Sequence, residues 1–269
     1  MNSRATLTRR AVLALTAGAF FTSSARAETA PDVPGGRALV LAAYDQARVP
    51  LMNVRLEITI QDGKRSWVRT ATRASKQGAW GDQKQVFTFR SPAELDGSAV
   101  LTRETGGDAA QWVYIPAYHA SRRIPPANSG EAYLGTDYYY EDVLDRRWGE
   151  YQFRDLGVEA LGQARLTLVE AVPNSELLKA HSAYSRTVFW IEPVRRVVVR
   201  EEYFGRDGAL LKRLSNNNLK PYGNRLLWDG AVMENVRTGH KTVSVVLKRE
   251  LDVELPDKLF TERALKEAR

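Results

Sequence analysis

The sequence predicts a mainly β protein built as one long antiparallel meander that curls on itself. Segments of two-residue alternation recur along the chain. In LMNVRLEITIQ, Met52, Val54, Leu56, Ile58 and Ile60 face one way, while Asn53, Arg55, Glu57 and Thr59 face the other. Turn residues stand between such segments at Asp62-Gly63, Gly106-Gly107-Asp108, Asp207-Gly208 and Thr238-Gly239, where hairpins need positive φ. Helical periodicity is confined to a few short stretches. Strands twist, so a meander of this length must curl and acquire an inner face.

Residues 1–27 read as a cleaved export signal, not as part of the fold. Arg4, Arg9 and Arg10 precede an apolar run from Ala11 to Phe21, and Ala25-Arg26-Ala27 offers a small-x-small cleavage site. The run is shorter than the roughly 20 residues a membrane span requires. Thr8-Arg9-Arg10 followed by Val12 and Leu13 fits twin-arginine export, and an ordinary secretory n-region fits equally. The remainder, 28–269, is of a size for a single domain with a substantial core.

After a Pro/Gly-rich start, Arg37 to Arg48 reads as a helix with Leu41, Tyr44 and Arg48 on one face, stopped by Pro50. The alternating strand from Leu51 follows, and Arg65 to Gln77 returns as its hairpin partner. Lys84 to Arg90 and Ser98 to Arg103 are the next strands, separated by a long turn that starts at Ser91-Pro92.

The richest stretch is Gln111 to Asp145. It opens as a strand in which Trp112 and Tyr114 point one way and Val113 and Ile115 the other. Pro116 ends that ladder because it has no N–H to donate. Arg122-Arg123 leads into a turn-rich loop from Pro125 to Gly130, and Thr136 or Asp137 is placed to cap a short helix. The expectation is that Arg122 or Arg123 pairs with Asp137 or Asp142, with Glu141 in the same cluster.

Downstream, strands are expected at Tyr151 to Leu156, Ala164 to Ala171, Arg186 to Ile191, Arg196 to Phe204, Ala209 to Leu214, Arg225 to Val236 and Lys241 to Arg249. A helix from Asp257 to Ala268 closes the chain.

Composition excludes several functions. There is no cysteine, hence no disulfide, zinc-thiolate site, cysteine nucleophile or acylated N-terminal cysteine. Arg4, Arg9, Arg10 and Arg26 lie in the signal with no acid beside them, so more than half of the formal +7 leaves with it. The balance that remains does not argue for nucleic acid. His119, His181 and His240 lack metal-ligand spacing, and no serine sits in a G-x-S-x-G setting, so neither a metal, a cofactor nor a catalytic residue is expected. The carboxylates of 137–145 lack the alternating ligands of a Ca²⁺ loop. A hydrolase built on them is the weakest reading of the chain.

The order W-x-Y-x-P (Trp112, Tyr114, Pro116), then Arg122 to Ile124, then Gly135 to Tyr138 and Tyr140 to Asp142 resembles the LolA-like outer-membrane lipoprotein-sorting proteins of the bacterial periplasm. Phe89 to Leu101, Glu201 to Leu214 and Leu255 to Leu265 extend the likeness. The resemblance implies an incomplete (half) barrel with a few short helices over the concave face. It also implies a soluble periplasmic carrier, not an enzyme, that shields a lipid or lipoprotein acyl chain, working with an inner-membrane transporter and as a monomer. A sensory or regulatory module on the same fold is the alternative. Trp112 and Tyr114, or Val113 and Ile115 in the opposite register, are expected at the cavity mouth, with Tyr138, Tyr139 and Tyr140 nearby. The inner face is expected to be apolar, from the first strand and from Trp67, Phe87, Phe89 and Trp190. Alternation alone leaves open whether it encloses a cavity or packs on itself.

Overall fold

The computed structural model describes residues 34–267; the export signal expected at 1–27 lies outside them. Helix α1 (Pro34–Ala47) precedes two meanders. The first holds β1 (Leu51–Asp62), β2 (Arg65–Gln77), β3 (Gln83–Ser91), β4 (Ala99–Thr105), β5 (Asp108–Ile115) and β6 (Ala120–Ile124). The second holds β7 (Tyr151–Leu161), β8 (Ala164–Pro173), β9 (Tyr184–Glu192), β10 (Val197–Gly205), β11 (Leu210–Tyr222), β12 (Arg225–Asn235) and β13 (Lys241–Leu251). Short helix α2 (Glu176–His181) lies between β8 and β9, and α3 (Glu262–Glu267) ends the chain.

All these strands form one antiparallel sheet in the order β6-β5-β4-β3-β2-β1-β13-β12-β11-β10-β9-β8-β7. The first and last strands therefore pair in the middle, where Val54 meets Arg249 and Ile58 meets Ser244. The sheet does not close. Its edges are β6 and β7, which are joined by residues 125–150. That connection has to travel from one edge of the sheet to the other, and it does so across the inner face.

The two largest apolar clusters lie on the inner face. Ile58, Ile60, Phe87, Phe89, Val100 and Val113 pack under Tyr133 and Tyr140 of the connection. Val40 and Ala43 of α1 join Trp148, Phe153, Val169, Phe189 and Ile191 in the other half. The outer face of β3–β5 is covered by the C-terminal segment, where Leu255, Phe260 and Leu265 bury Leu101 and Tyr114.

The twelve expected strands are present, most of them longer than the alternation suggested. β6 and α2 are additional. The helix expected from Asp257 is a 3₁₀ turn, Asp257–Phe260, followed by α3. The expected helix near Thr136 is also a 3₁₀ turn, Tyr140–Val143, with neither Thr136 nor Asp137 as its cap.

Candidate functional site

The connection 125–150 has little regular structure; backbone hydrogen bonds of its own turns shape it, and side chains tie it to the sheet. At Leu134 (φ 49°) and Gly135 (φ 71°) the chain turns left-handed, a conformation glycine adopts freely. The turn closes with Tyr133 N–H donating to the Tyr138 carbonyl at 2.8 Å. From there the segment is fastened stepwise across the sheet. Arg69 of β2 donates to the Leu134 carbonyl at 3.1 Å. The Asp137 carboxylate accepts from Thr242 Oγ1 of β13 at 2.7 Å and meets His240 Nδ1 at 2.7 Å. Asp142 pairs with Lys212 Nζ of β11 at 2.7 Å, Asp145 with Arg48 at 2.9 Å, and Arg146 with Glu201 of β10 at 2.7 Å.

The Lys212–Asp142 pair is the deepest of these. Lys212 is 0% exposed, its Nζ also donates to the Asp137 carbonyl at 3.1 Å, and it lies 3.4 Å from the Tyr139 ring. Burial holds the Lys212 ammonium below its ordinary pKa, opposed mainly by Asp142. Asp142 is further held by Tyr184 Oη and by Tyr139 N–H, at 2.8 and 2.7 Å. A charge pair this enclosed is costly to break on one side, because the survivor stays buried and unpaired.

Two further carboxyls, buried Glu104 and half-buried Glu141, flank the anchors. Glu104 of β4 accepts from the Gln83 amide and, at 2.9 Å, from Asp145 N–H. Glu141 accepts from Ser182 Oγ at 2.7 Å and Ala183 N–H at 2.8 Å. Desolvation raises both to about 7, and the Asp142 charge adds to the rise at Glu141.

Beside these anchors, between the connection and strands β1, β2, β12 and β13, lies a cavity of about 200 Å³. Leu56, Ile58, Phe87, Tyr138, Val143, Trp228 and Val246 supply its apolar wall, and Arg73, Asp229 and Arg249 its charges. A second hollow of about 280 Å³ lies under the other flank of the connection, lined by Glu104, Glu141, Asp145, Arg146 and α2.

The expected site residues separate. Tyr138 lines the cavity. Tyr140 is in the adjoining core against Tyr133, and Tyr139 stacks on Tyr184 above Lys212. Trp112 and Tyr114 are on the outer face, not at the mouth. The pairing of β5 with β4 sets Val113 opposite the inward Val100, so Trp112 and Tyr114 point to the C-terminal segment. Val113 and Ile115 take the inner side, in the core next to the cavity.

The expected arginine pairs are also corrected. Arg122 and Arg123 are exposed on edge strand β6 and have no ion pair among the described residues; Arg123 sits 6.0 Å from the Trp112 ring. Asp137 and Asp142 take His240 and Lys212 instead, and Glu141 takes Ser182. The inner face is less apolar than expected. Trp67 is 45% exposed and Trp190 packs with Leu166 on the other side of β9 from Phe189, while Arg73, Lys212 and Asp229 point inward.

The open sheet crossed by its own edge-to-edge connection defines the class: the fold is LolA-like. A domain described as outer membrane lipoprotein-sorting, from Vibrio parahaemolyticus, matches at TM-score 0.79 and 23% identity, over 86% of this chain and 98% of its own. A DUF1329 family protein from Desulfovibrio piger matches at 0.80 and 23%, over 88% and 100%. A LolA superfamily protein from Nitrosomonas europaea matches at 0.69 and 17%, over 85% and 98%. No curated protein matches the sequence. A family model described as uncharacterized protein matches residues 81–267, and the chain belongs to that family.

Two outcomes follow for the anchors. Lys212→Ala or Asp142→Ala is expected to cost about 3–5 kcal/mol, and the double variant little more than either single one. Chemical denaturation of the four proteins measures this; strictly additive small losses would contradict it. For Glu104 and Glu141, the folded chain keeps protons that the unfolded chain has released between the ordinary 4.5 and about 7. Stability therefore falls as pH rises through that window. The melting temperature should be lower at pH 8 than at pH 5, and Glu104→Gln with Glu141→Gln should flatten the profile.

Proposed function

We propose that the protein is a periplasmic carrier that takes the acyl chain of a lipid or lipoprotein into the cavity under residues 125–150 and moves it towards the outer membrane. An inner-membrane exporter is the proposed donor, and residues 1–27 the signal that sends the chain to the periplasm. Among the described residues no helix is long and apolar enough to cross a membrane.

One observation carries the reading. An apolar-walled cavity lies directly beneath a segment that is fastened by side-chain contacts, not woven into the sheet. Each buried methylene contributes about 0.8 kcal/mol, so an acyl chain gains substantially on entering such a wall. At about 200 Å³ the cavity is below the ~300–1,000 Å³ of typical ligand sites. Loading a whole chain therefore requires the connection to lift, as a lid does. The likeness to a domain described as lipoprotein-sorting supports the same reading.

Native mass spectrometry of gently purified protein should show a bound amphiphile, and the same spectrum should place Glu28 at the N-terminus. After delipidation the protein should bind a fluorescent fatty acid. Ala231→Trp, which fills the cavity from β12, should weaken that binding at least about tenfold while the circular dichroism stays unchanged. Full uptake by the filled variant, or no uptake by the native chain, would rule the reading out.

A further inference from the structure

The cavity carries charge as well as apolar surface, and the charge is unbalanced. Arg73 of β2 and Arg249 of β13 both stand directly opposite Val54 of β1, one on each side. Residues opposite one another in antiparallel strands project to the same face, so both guanidinium groups enter the hollow on a single row. Two strand spacings separate their Cα atoms, roughly 10 Å, which two arginine side chains reaching towards each other can span.

Their partners differ. Arg249 donates to the Trp228 carbonyl at 2.7 Å and lies 3.3 Å from Asp229. Asp229 is shared: Lys220 approaches it at 3.2 Å, and Tyr222 Oη donates to both its oxygens at 2.9 and 2.7 Å. Arg73 has no hydrogen-bond or ion-pair partner among the described residues, and its Nε is buried. Arg249 Nε and Nη1 are likewise buried without a hydrogen bond. Asp229 is the one acid in the cavity lining, against two arginines. Burial first, and the Arg249 charge second, hold Arg73 below its ordinary pKa; the other groups acting on it are Tyr133 and Tyr138.

A partly buried guanidinium without an acid partner is unfavourable, and fixed N–H forks of this kind match the oxygens of carboxylate or phosphate. The apolar wall of Leu56, Phe87 and Val246 begins beside the same row. We propose that Arg73, with Arg249, binds the anionic headgroup, carboxylate or phosphate, of the amphiphile whose chain fills this cavity. The inference rests on the carrier reading and narrows its cargo to anionic amphiphiles. Asp229 fixes Arg249, and Arg73 supplies the charge left for the ligand.

The test uses delipidated protein and displacement of a fluorescent neutral acyl reporter by three competitors with one C16 chain: hexadecanoate, hexadecyl phosphate and monopalmitoylglycerol. At least one anion should compete about ten- to a hundredfold better than the neutral glyceride, the worth of a charge-assisted hydrogen-bond pair. Whichever anion leads identifies the source as fatty acid or phospholipid-like. Arg73→Met should remove the preference and leave glyceride binding within about twofold. Because it removes an unpaired, partly buried charge, this variant should also keep or raise the melting temperature of the ligand-free protein. Arg73→Lys, which keeps the charge and loses the fork, should show an intermediate preference. Equal competition by all three in the native chain would overturn the headgroup assignment and leave the carrier reading standing. So would a preference that survives Arg73→Met. Competition by none of the three would remove both.

Discussion

The structure depends on one constraint: the two edges of an open sheet are neighbours in sequence, so the chain between them has to cross the hollow. Residues 125–150 make that crossing with only short 3₁₀ turns, and their backbone bonds largely within the segment, as where Tyr140 N–H donates to the Glu131 carbonyl and Glu141 N–H to the Ser129 carbonyl. Buried side chains then fasten the segment to the sheet. The Lys212–Asp142 pair is the innermost fastening, and Asp137, Asp145 and Arg146 repeat the device on either side. Charges are costly to place there and costly to unpair. The crossing is therefore well specified, yet shares no strand ladder with the sheet.

That arrangement explains why the interior is not an oily slot. The anchors need polar partners on the inner face, so Lys212, Thr242 and Glu201 occupy inward positions that alternation alone assigns to apolar residues. Apolar side chains fill the remaining inward positions: the packed core under Tyr133 and Tyr140, the core of Trp148 and Phe189 against which Arg146 lies, and the cavity wall around Leu56, Ile58 and Phe87.

How much of this is legible in the sequence follows from distance along the chain. β1 reads clearly because one of its faces is buried along its length, and the Asp62–Arg65 hairpin fixes its register with β2, which already sets Arg73 opposite Val54. The pairing of β1 with β13 has no turn to announce it, so the approach of Arg249 to the same position is hidden. β6 carries no strand signal of its own because ASRRI shows no apolar alternation; its exposed arginines suit an edge strand, where charge discourages further pairing. Nearness in sequence suggests those arginines as partners for the carboxylates, but the partners lie on distant strands. Asp142 finds its cation 70 residues later and Asp137 its histidine 103 later. Lys212, set among leucines in β11, looks like an outward lysine until the strand order is known. Trp112 and Tyr114 were the most conspicuous aromatics of their strand, but large aromatics also suit an outer face that a C-terminal segment covers.

The proposed carrier holds an acyl chain between the inner face and the crossing segment. The most direct measurement is photo-crosslinking with a fatty acid carrying a diazirine on its chain, followed by peptide mapping. Labels are expected on the segments holding Leu56, Phe87, Val143 and Val246, all of which line the cavity. Labels confined to the outer face, on Trp112 or the Leu255–Leu265 segment, would contradict the account.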